Sequence, residues 1–235
     1  MRKTMNKLLM GKPSMNEGER HSTLERRWKN VVAIWNNSFE EDAGLEKLVR
    51  LMLAASQFLF PGVYIKHAFW RSGPVHQDLA VEVFVLLKTI FPLVVLWMGW
   101  WNEPVAMVLV TWLTAETLLY IPTLIFASDA LPSPRSYRRS KLLIFINYLE
   151  VVFAFAVLHM AGQYMNLPLT RWTDAVYVSF VITSTIGFGE YYPISGIGKL
   201  VISIQSVFYL SYIALFISFF SLGHNKGYFE GLDKR

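Results

Sequence analysis

Apolar residues along the chain gather into four runs that are each long enough to cross a membrane. The runs cover residues 79–101, 104–127, 141–161 and 198–222. A hydrocarbon core about 30 Å thick needs roughly 20 apolar residues in a helix. Each run therefore predicts a membrane-spanning helix, and the chain is expected to be an all-α membrane protein with four transmembrane helices.

A fifth apolar stretch, residues 45–70, has a different pattern. In its first half, Leu, Val, Met and Phe recur on one helical face, and polar residues such as Lys47 and Arg50 lie on the other. Such a pattern is typical of a helix lying in the membrane interface. Pro61 and Gly62 are expected to break or bend it. The alternative is that this stretch spans, which would give five transmembrane helices.

The residues before this stretch are polar and basic. Ser22 and Glu25 have the spacing of a capping box, and apolar residues follow at helical spacing. Residues 1–44 are therefore expected to form a basic N-terminus with an amphipathic helix, whose partner is an anionic lipid surface or neighbouring helices. Residues 45–140 form an N-terminal membrane module with the interfacial helix and two spans. Residues 141–222 form a second unit, and 223–235 a short tail.

Composition agrees with a membrane protein. Hydrophobic residues make up 54% of the chain, charged residues 17%, and the mean hydropathy is +0.36. Cysteine is absent, which excludes disulfides, thiolate metal sites and thiol nucleophiles. No clustered His or Asp, nucleophile motif or phosphate loop supports an enzyme. The net charge of +5 is better explained by a lipid-facing basic end than by nucleic acid.

The most informative motif lies between the last two apolar runs. Thr185 and Ile186 lead into Gly187 and Gly189, which bracket Phe188. A backbone whose carbonyls all point one way must depart from strand dihedrals, and glycine does so at low cost. Four such segments around an axis would present rings of carbonyl oxygens that replace the hydration shell of a potassium ion.

This motif resembles the signature of the potassium channel family, which reads Thr-Val-Gly-Tyr-Gly-Asp. Ile186, Phe188 and Glu190 take the places of the Val, Tyr and Asp, and the resemblance runs without gaps from Trp172 to Gly198. It implies a homotetramer in which residues 141–222 form a pore domain of outer helix, re-entrant pore helix, selectivity filter and inner helix. It implies passive ion flow, with no cofactor beyond the permeant K+ ions.

The resemblance also assigns residues to roles in the filter. The hydroxyl and carbonyl of Thr185 would form the innermost K+ site, and the carbonyls of Ile186, Gly187 and Phe188 the sites above it. Gly189 would permit the exit turn. Glu190 would lie at the outer mouth and could bond to Tyr177 on the pore helix.

Other parts of the pore domain follow from the same resemblance. The pore helix is expected to begin at the N-cap Thr173 and end near Ser184. Residues of the inner helix either face the cavity and gate it, or pack against neighbouring inner helices; they are Ser206, Leu210, Ile213 and Ile217. Many relatives carry a second acid on the pore helix where this chain has Val181, so the filter inactivation linked to that acid pair is not expected.

Charge distribution gives the expected orientation. The outer helix of the family enters from the cytoplasm, and the basic loop before Lys141 then lies inside, as the positive-inside rule prefers. Both termini are expected to be cytoplasmic, in a plasma membrane or a bacterial inner membrane. Two alternatives remain: a weakly selective monovalent cation channel, and a subunit of a potassium-uptake transporter.

Three ionisable residues lie at similar depths within different apolar runs. They are Lys88, Glu116 and Glu150. A charge at a helix centre costs about 2.5–3.5 kcal/mol on insertion scales, so Lys88 is expected to pair with one or both carboxylates. The cluster is interpreted as a structural clamp, or alternatively as a proton- or voltage-sensitive element. His159, near the outer end of its run, is expected to be solvated.

Overall fold

The computed structural model describes residues 22–37, 43–127 and 137–221. Within these ranges the regular structure is helical, without β-strands. The α-helices are α1 (Thr23–Trp35), α2 (Gly44–Ser56), α3 (Pro61–Ala68), α4 (Pro74–Met98), α5 (Pro104–Phe126), α6 (Tyr137–Gly162), α7 (Trp172–Thr183) and α8 (Gly196–Ser221).

Four of these helices are long and apolar enough to cross a membrane. They are α4, α5, α6 from Arg139 onwards, and α8 as far as Ile217. The prediction of an all-α membrane protein with four such helices is confirmed. Helix α4 begins at Pro74, several residues before the apolar run, because proline favours the first helical position. It ends at Gly99, whose left-handed φ of 75° caps the helix.

Helix α1 begins where the sequence predicts. The Ser22 hydroxyl accepts a hydrogen bond from the backbone N–H of Glu25 at 3.2 Å, and this satisfies one free N–H of the first turn. Lys29 lies one helical turn after Glu25, and its Nζ forms an exposed ion pair with Glu25 Oε1 at 2.9 Å. Trp28 and Trp35 remain largely exposed, so this helix keeps an apolar surface available to lipid or to another partner.

The break between α2 and α3 lies deep in the bundle. The two helices are bent by 63°, and together they are long enough for a broken fifth span. The N–H of Gly62 donates to Glu116 Oε1 at 3.0 Å, and the Trp112 indole donates to the carbonyl of Leu59 at 3.2 Å. Glu116 lies about 15 Å from the end of α5 at Phe126. The break is therefore deeper than a helix lying along the interface would place it.

Helix α2 differs from the prediction in which face it buries. Leu45 and Leu48 are exposed, whereas Arg50, expected on the polar face, is buried beside Leu53 and Ala54. These three residues share a face because they are three and four positions apart. The long aliphatic stem of arginine allows it to line an apolar contact. The exposed leucines leave an apolar surface on the other side.

Helix α6 lies at the centre of the molecule. It is the most buried of the four long helices. One apolar cluster joins it to α4, α5 and α7, and includes Val95, Val110, Val157 and Val178. A second cluster joins it to α5 and α8 through residues such as Phe155 and Tyr212. The two long helices of the N-terminal module and the helices around the motif at residues 185–189 thus pack on the same central helix.

Tyr164 fills the space between the end of α6 and the start of α8. A Cβ added at Gly198 would lie 2.6 Å from Cδ2 of its ring, and one added at Gly162 would also overlap the ring. Both glycines are therefore required by close packing. The hydroxyl of Tyr164 is directed to His159 Nδ1 at 2.5 Å.

We expect Gly198→Ala to lower the free energy of unfolding by about 1–3 kcal/mol, because the added methyl overpacks the Tyr164 ring. Gly196 is a matched control at the start of the same helix, since a Cβ there meets nothing within 4 Å. Gly196→Ala should be neutral or slightly stabilising. Thermal unfolding in detergent measures both variants, and equal unfolding temperatures would show that the ring tolerates the methyl.

Candidate functional site

The N-cap of helix α7 lies two residues before the predicted one. Its N-cap is Arg171, and the Asp174 carboxylate accepts the N–H of Arg171 at 3.1 Å. The prediction that Thr173 is the N-cap is wrong. The acid reaches back three residues and fixes the start of the helix there, so that Thr173 lies inside the first turn. The helix ends at Thr183, close to the predicted end.

The segment after α7 has an alternating backbone. The φ angles of Thr185, Gly187 and Gly189 are 58°, 55° and 83°, while Ile186 and Phe188 between them are not in the positive region. In a β-strand, successive carbonyls point to opposite sides. A sign of φ that alternates from residue to residue turns successive peptide planes the same way. This backbone can therefore direct a row of carbonyl oxygens to one side.

Thr185 is the residue at which this conformation is least expected. A positive φ is a genuine outlier for a β-branched side chain, and its cost is of order 1–3 kcal/mol. Such strain persists only where the surroundings impose it, and it concentrates at functional sites. The N–H of Thr185 is held by the carbonyl of Ile182 at 3.1 Å, which ties this residue to the end of α7.

The segment is open on one side within a single chain. Ile186 and Phe188 are 60% and 67% exposed. A Cβ added at Gly187 or Gly189 would meet no described atom within 4 Å. Irregular backbone at membrane depth is tolerated only where protein or a water-filled path satisfies it. The open side therefore requires a neighbouring chain or an aqueous path.

Residues of α7 and of the preceding loop support the far end of the segment. The Tyr177 hydroxyl donates to the Glu190 carboxylate, as the resemblance suggested. The Tyr177 ring stacks on the Phe188 ring, with the ring centroids 6.5 Å apart and an angle of 5° between the ring planes. The side-chain amide of Asn166 donates to the Glu190 carbonyl at 2.9 Å. Its Oδ1 accepts the N–H of Tyr192 at 2.8 Å. Asn166 was missed in the sequence because a lone loop asparagine gives no signal of its distant partners.

A buried polar network lies behind α7. His159 is completely buried, so the prediction that it is solvated is wrong. Its Nε2 lies 2.8 Å from Oε1 of Gln205, a buried residue of α8. The Gln205 amide donates to Thr183 Oγ1 at 2.7 Å and to Ser179 Oγ at 3.0 Å. Sequence position misled the prediction, because the loop containing Tyr164 folds over the end of α6 and covers the imidazole.

The inner-helix residues assigned to a cavity are largely on an exposed face of α8. Leu210 and Ile217 are each 62% exposed, and Ile213 also lies at the surface of the chain. Ser206 is partly buried, and its hydroxyl donates to the carbonyl of Ile202 at 2.9 Å. Three of the four residues can thus contact another chain or an aqueous cavity.

The comparison with protein families concerns this part of the molecule. Residues 142–222 match the family model described as Ion channel. This part of the chain is similar to an ion channel family. The matched residues run from α6 through α7 and the alternating segment into α8. Comparison with curated proteins and with solved structures found no match.

Lys88 contacts the other two ionisable residues of the apolar runs. Lys88 Nζ lies 3.2 Å from Glu150 Oε2 and 3.7 Å from Glu116 Oε2. Thr117, which the sequence did not single out, accepts from Lys88 at 2.5 Å and donates to Glu150 at 2.6 Å. Lys88 and Glu150 are buried, so the cluster joins α4, α5 and α6 in the interior.

The charge cluster includes a fourth group, which is also positive. Glu116 Oε1 accepts the N–H of Gly62 in the first turn of α3, where the partial positive charge of a helix dipole lies. One ammonium and one helix N-terminus thus face two carboxylates. A metal site is not indicated: among the residues that the structure describes, no group of three or more His, Cys, Asp or Glu could hold a metal ion.

Proposed function

We propose that this ion channel is potassium-selective and conducts K+ passively as a homotetramer. The observation that supports this most directly is the alternation of φ at Thr185, Gly187 and Gly189. It occurs immediately after a short helix, in the Thr-Ile-Gly-Phe-Gly sequence, inside the part of the chain that matches an ion channel family. A filter built from stacked carbonyls needs this backbone.

In the proposed filter, each chain contributes the same oxygens to successive ion sites. The hydroxyl and carbonyl of Thr185 form the innermost site, and the carbonyls of Ile186, Gly187 and Phe188 form the sites above it. Rings of such oxygens replace the hydration shell of K+. The C-terminal end of α7 carries a partial negative charge, which favours a cation just below the filter.

Four chains are proposed because one chain supplies only one wall of such a filter. Identical subunits in a closed ring place the same face towards a common axis, which would cover the open side of residues 185–189. The same ring would bring the exposed face of α8 together, with Leu210, Ile213 and Ile217 lining a cavity. Rings of leucine and isoleucine can close a pore by dewetting.

We propose an orientation with both termini in the cytoplasm, in a plasma membrane or a bacterial inner membrane. Basic residues are concentrated before residue 30 and in the loop before Lys141, and such residues favour the cytoplasmic side. These basic segments would then face anionic lipid headgroups of the inner leaflet. Ser206 and the filter would lie on the ion path, and no covalent chemistry is involved.

Flux through liposomes tests the proposal. Liposomes that contain the purified protein should take up rubidium, a congener of potassium, when a potassium gradient drives the uptake. They should exclude sodium by a large factor. Empty liposomes give the background, and native mass spectrometry should give four chains per particle. Sodium uptake comparable to that of rubidium would favour the weakly selective cation channel instead. A particle without four chains would contradict the shared filter.

A further inference from the structure

The network behind α7 is a continuous line of hydrogen bonds with one direction. Because Gln205 Oε1 can only accept, the Nε2–H of His159 donates to it at 2.8 Å. In the neutral imidazole, Nδ1 is then the acceptor, and the Tyr164 hydroxyl donates to it at 2.5 Å. These two partners fix a neutral His159 ring in one tautomer.

The other end of the line reaches the last turns of α7. The two N–H groups of the Gln205 amide are shared among three acceptors, which are the carbonyl of Ser179 at 3.2 Å and the hydroxyls of Ser179 and Thr183. The Ser179 hydroxyl donates in turn to the carbonyl of Val152 in α6 at 2.6 Å. Gln205, Ser179, Thr183 and His159 are all buried, so these groups depend on one another for their hydrogen bonds.

We infer that Gln205 is a positioning residue that sets the ion selectivity of the filter by fixing the end of α7. This inference rests on the proposed potassium selectivity. Thr183 is the last residue of α7, and Thr185, whose hydroxyl and carbonyl form the innermost proposed site, is two residues further on. A shift of Thr183 therefore moves the Thr185 oxygens, and the amide of Gln205 opposes that shift from the side away from the ion path.

The position of Gln205 in α8 gives this contact a second consequence. Gln205 is adjacent to Ser206, which begins the row of residues assigned to the cavity. The same turn of α8 thus faces the proposed ion path on one side and holds α7 on the other. Movement of the inner helix is transmitted to the base of the filter by hydrogen bonds that have a fixed direction and length.

Gln205→Met tests the inference, because methionine keeps a similar volume and removes every hydrogen bond of the amide. We expect the ratio of rubidium to sodium flux to fall about tenfold, because the buried hydroxyls and the imidazole lose their shared partner and Thr183 is no longer held in place. Thr183→Val removes one acceptor with little change in shape and should lower the ratio by a smaller factor. The double variant should match Gln205→Met alone, because both changes break the same contact.

A control separates positioning from general destabilisation. Leu53 is 1% exposed in α2, away from this network, and Leu53→Ala should lower the unfolding temperature without changing the flux ratio. If wild-type protein admits sodium as readily as rubidium, the proposed function fails. If the wild type is selective and Gln205→Met and Thr183→Val keep the full ratio, the inference alone is overturned. Should Gln205→Met not assemble, an unchanged ratio in Thr183→Val is sufficient to overturn it.

Discussion

Gly187→Ala will reduce rubidium flux in liposomes to the background of empty vesicles while the proposed tetramer remains assembled. Gly187 has a φ of 55°, which alanine adopts only at a cost of about 1–2 kcal/mol. A residue with a side chain relieves this strain by turning its peptide plane, and this removes a carbonyl from the proposed row. In the proposed tetramer, one substitution per chain would alter the site in every subunit.

The matched control for this variant is Gly196→Ala. Gly196 also has open space around it but has no positive φ, so alanine should leave flux unchanged. Flux and native mass spectrometry are measured on the same preparations, which distinguishes a defective filter from a defective assembly. Normal rubidium flux through Gly187→Ala would reject the assignment of residues 185–189 as the filter.

Lys88→Met should be the most destabilising single change in the N-terminal module. The ammonium lies 3.2 Å from Glu150 and 3.7 Å from Glu116, and its removal leaves both carboxylates without their cationic partner. Breaking a buried ion pair by removing one partner costs about 3–5 kcal/mol. Thermal unfolding in detergent and the yield of assembled protein measure this loss.

A second substitution should restore much of the stability. In Lys88→Met/Glu150→Gln, the remaining carboxylate of Glu116 keeps the N–H of Gly62, so one negative charge faces one helix N-terminus. Lys29→Met is the control, because Lys29 forms an exposed ion pair and such pairs contribute about 0–1 kcal/mol. Equal unfolding temperatures for Lys88→Met and Lys29→Met would exclude the clamp.

The parts of the structure that could be predicted are those determined by residues close together in the sequence. Apolar runs give the long helices because hydrocarbon thickness fixes their length. Pro61 and Gly62 mark the break between α2 and α3. The contact of Lys88 with both acids follows from the cost of an unpaired charge in a membrane, even though the three residues come from different helices.

The parts that could not be predicted depend on distant partners. The burial of His159 is decided by Tyr164, which folds over it, and by Gln205 of α8. The sequence around His159 does not predict either contact. Asn166 likewise acts on residues more than twenty positions away. The depth of the break at Gly62 is decided by the Glu116 carboxylate, which a helical pattern does not locate.

Helix α6 connects two buried polar groups of residues, the charge cluster at Glu150 and the hydrogen-bond network at His159, which lie on opposite faces of the helix. Glu150 and His159 are nine positions apart, which at about 100° per residue places them on opposite faces and about 14 Å apart along the axis. Glu150 is anchored to the peripheral helices and His159 to the inner helix. Rotating or sliding α6 would therefore disturb the contacts of Glu150 and of His159 together. A force applied to the peripheral helices would thus be transmitted through α6 to the oxygens of Thr185.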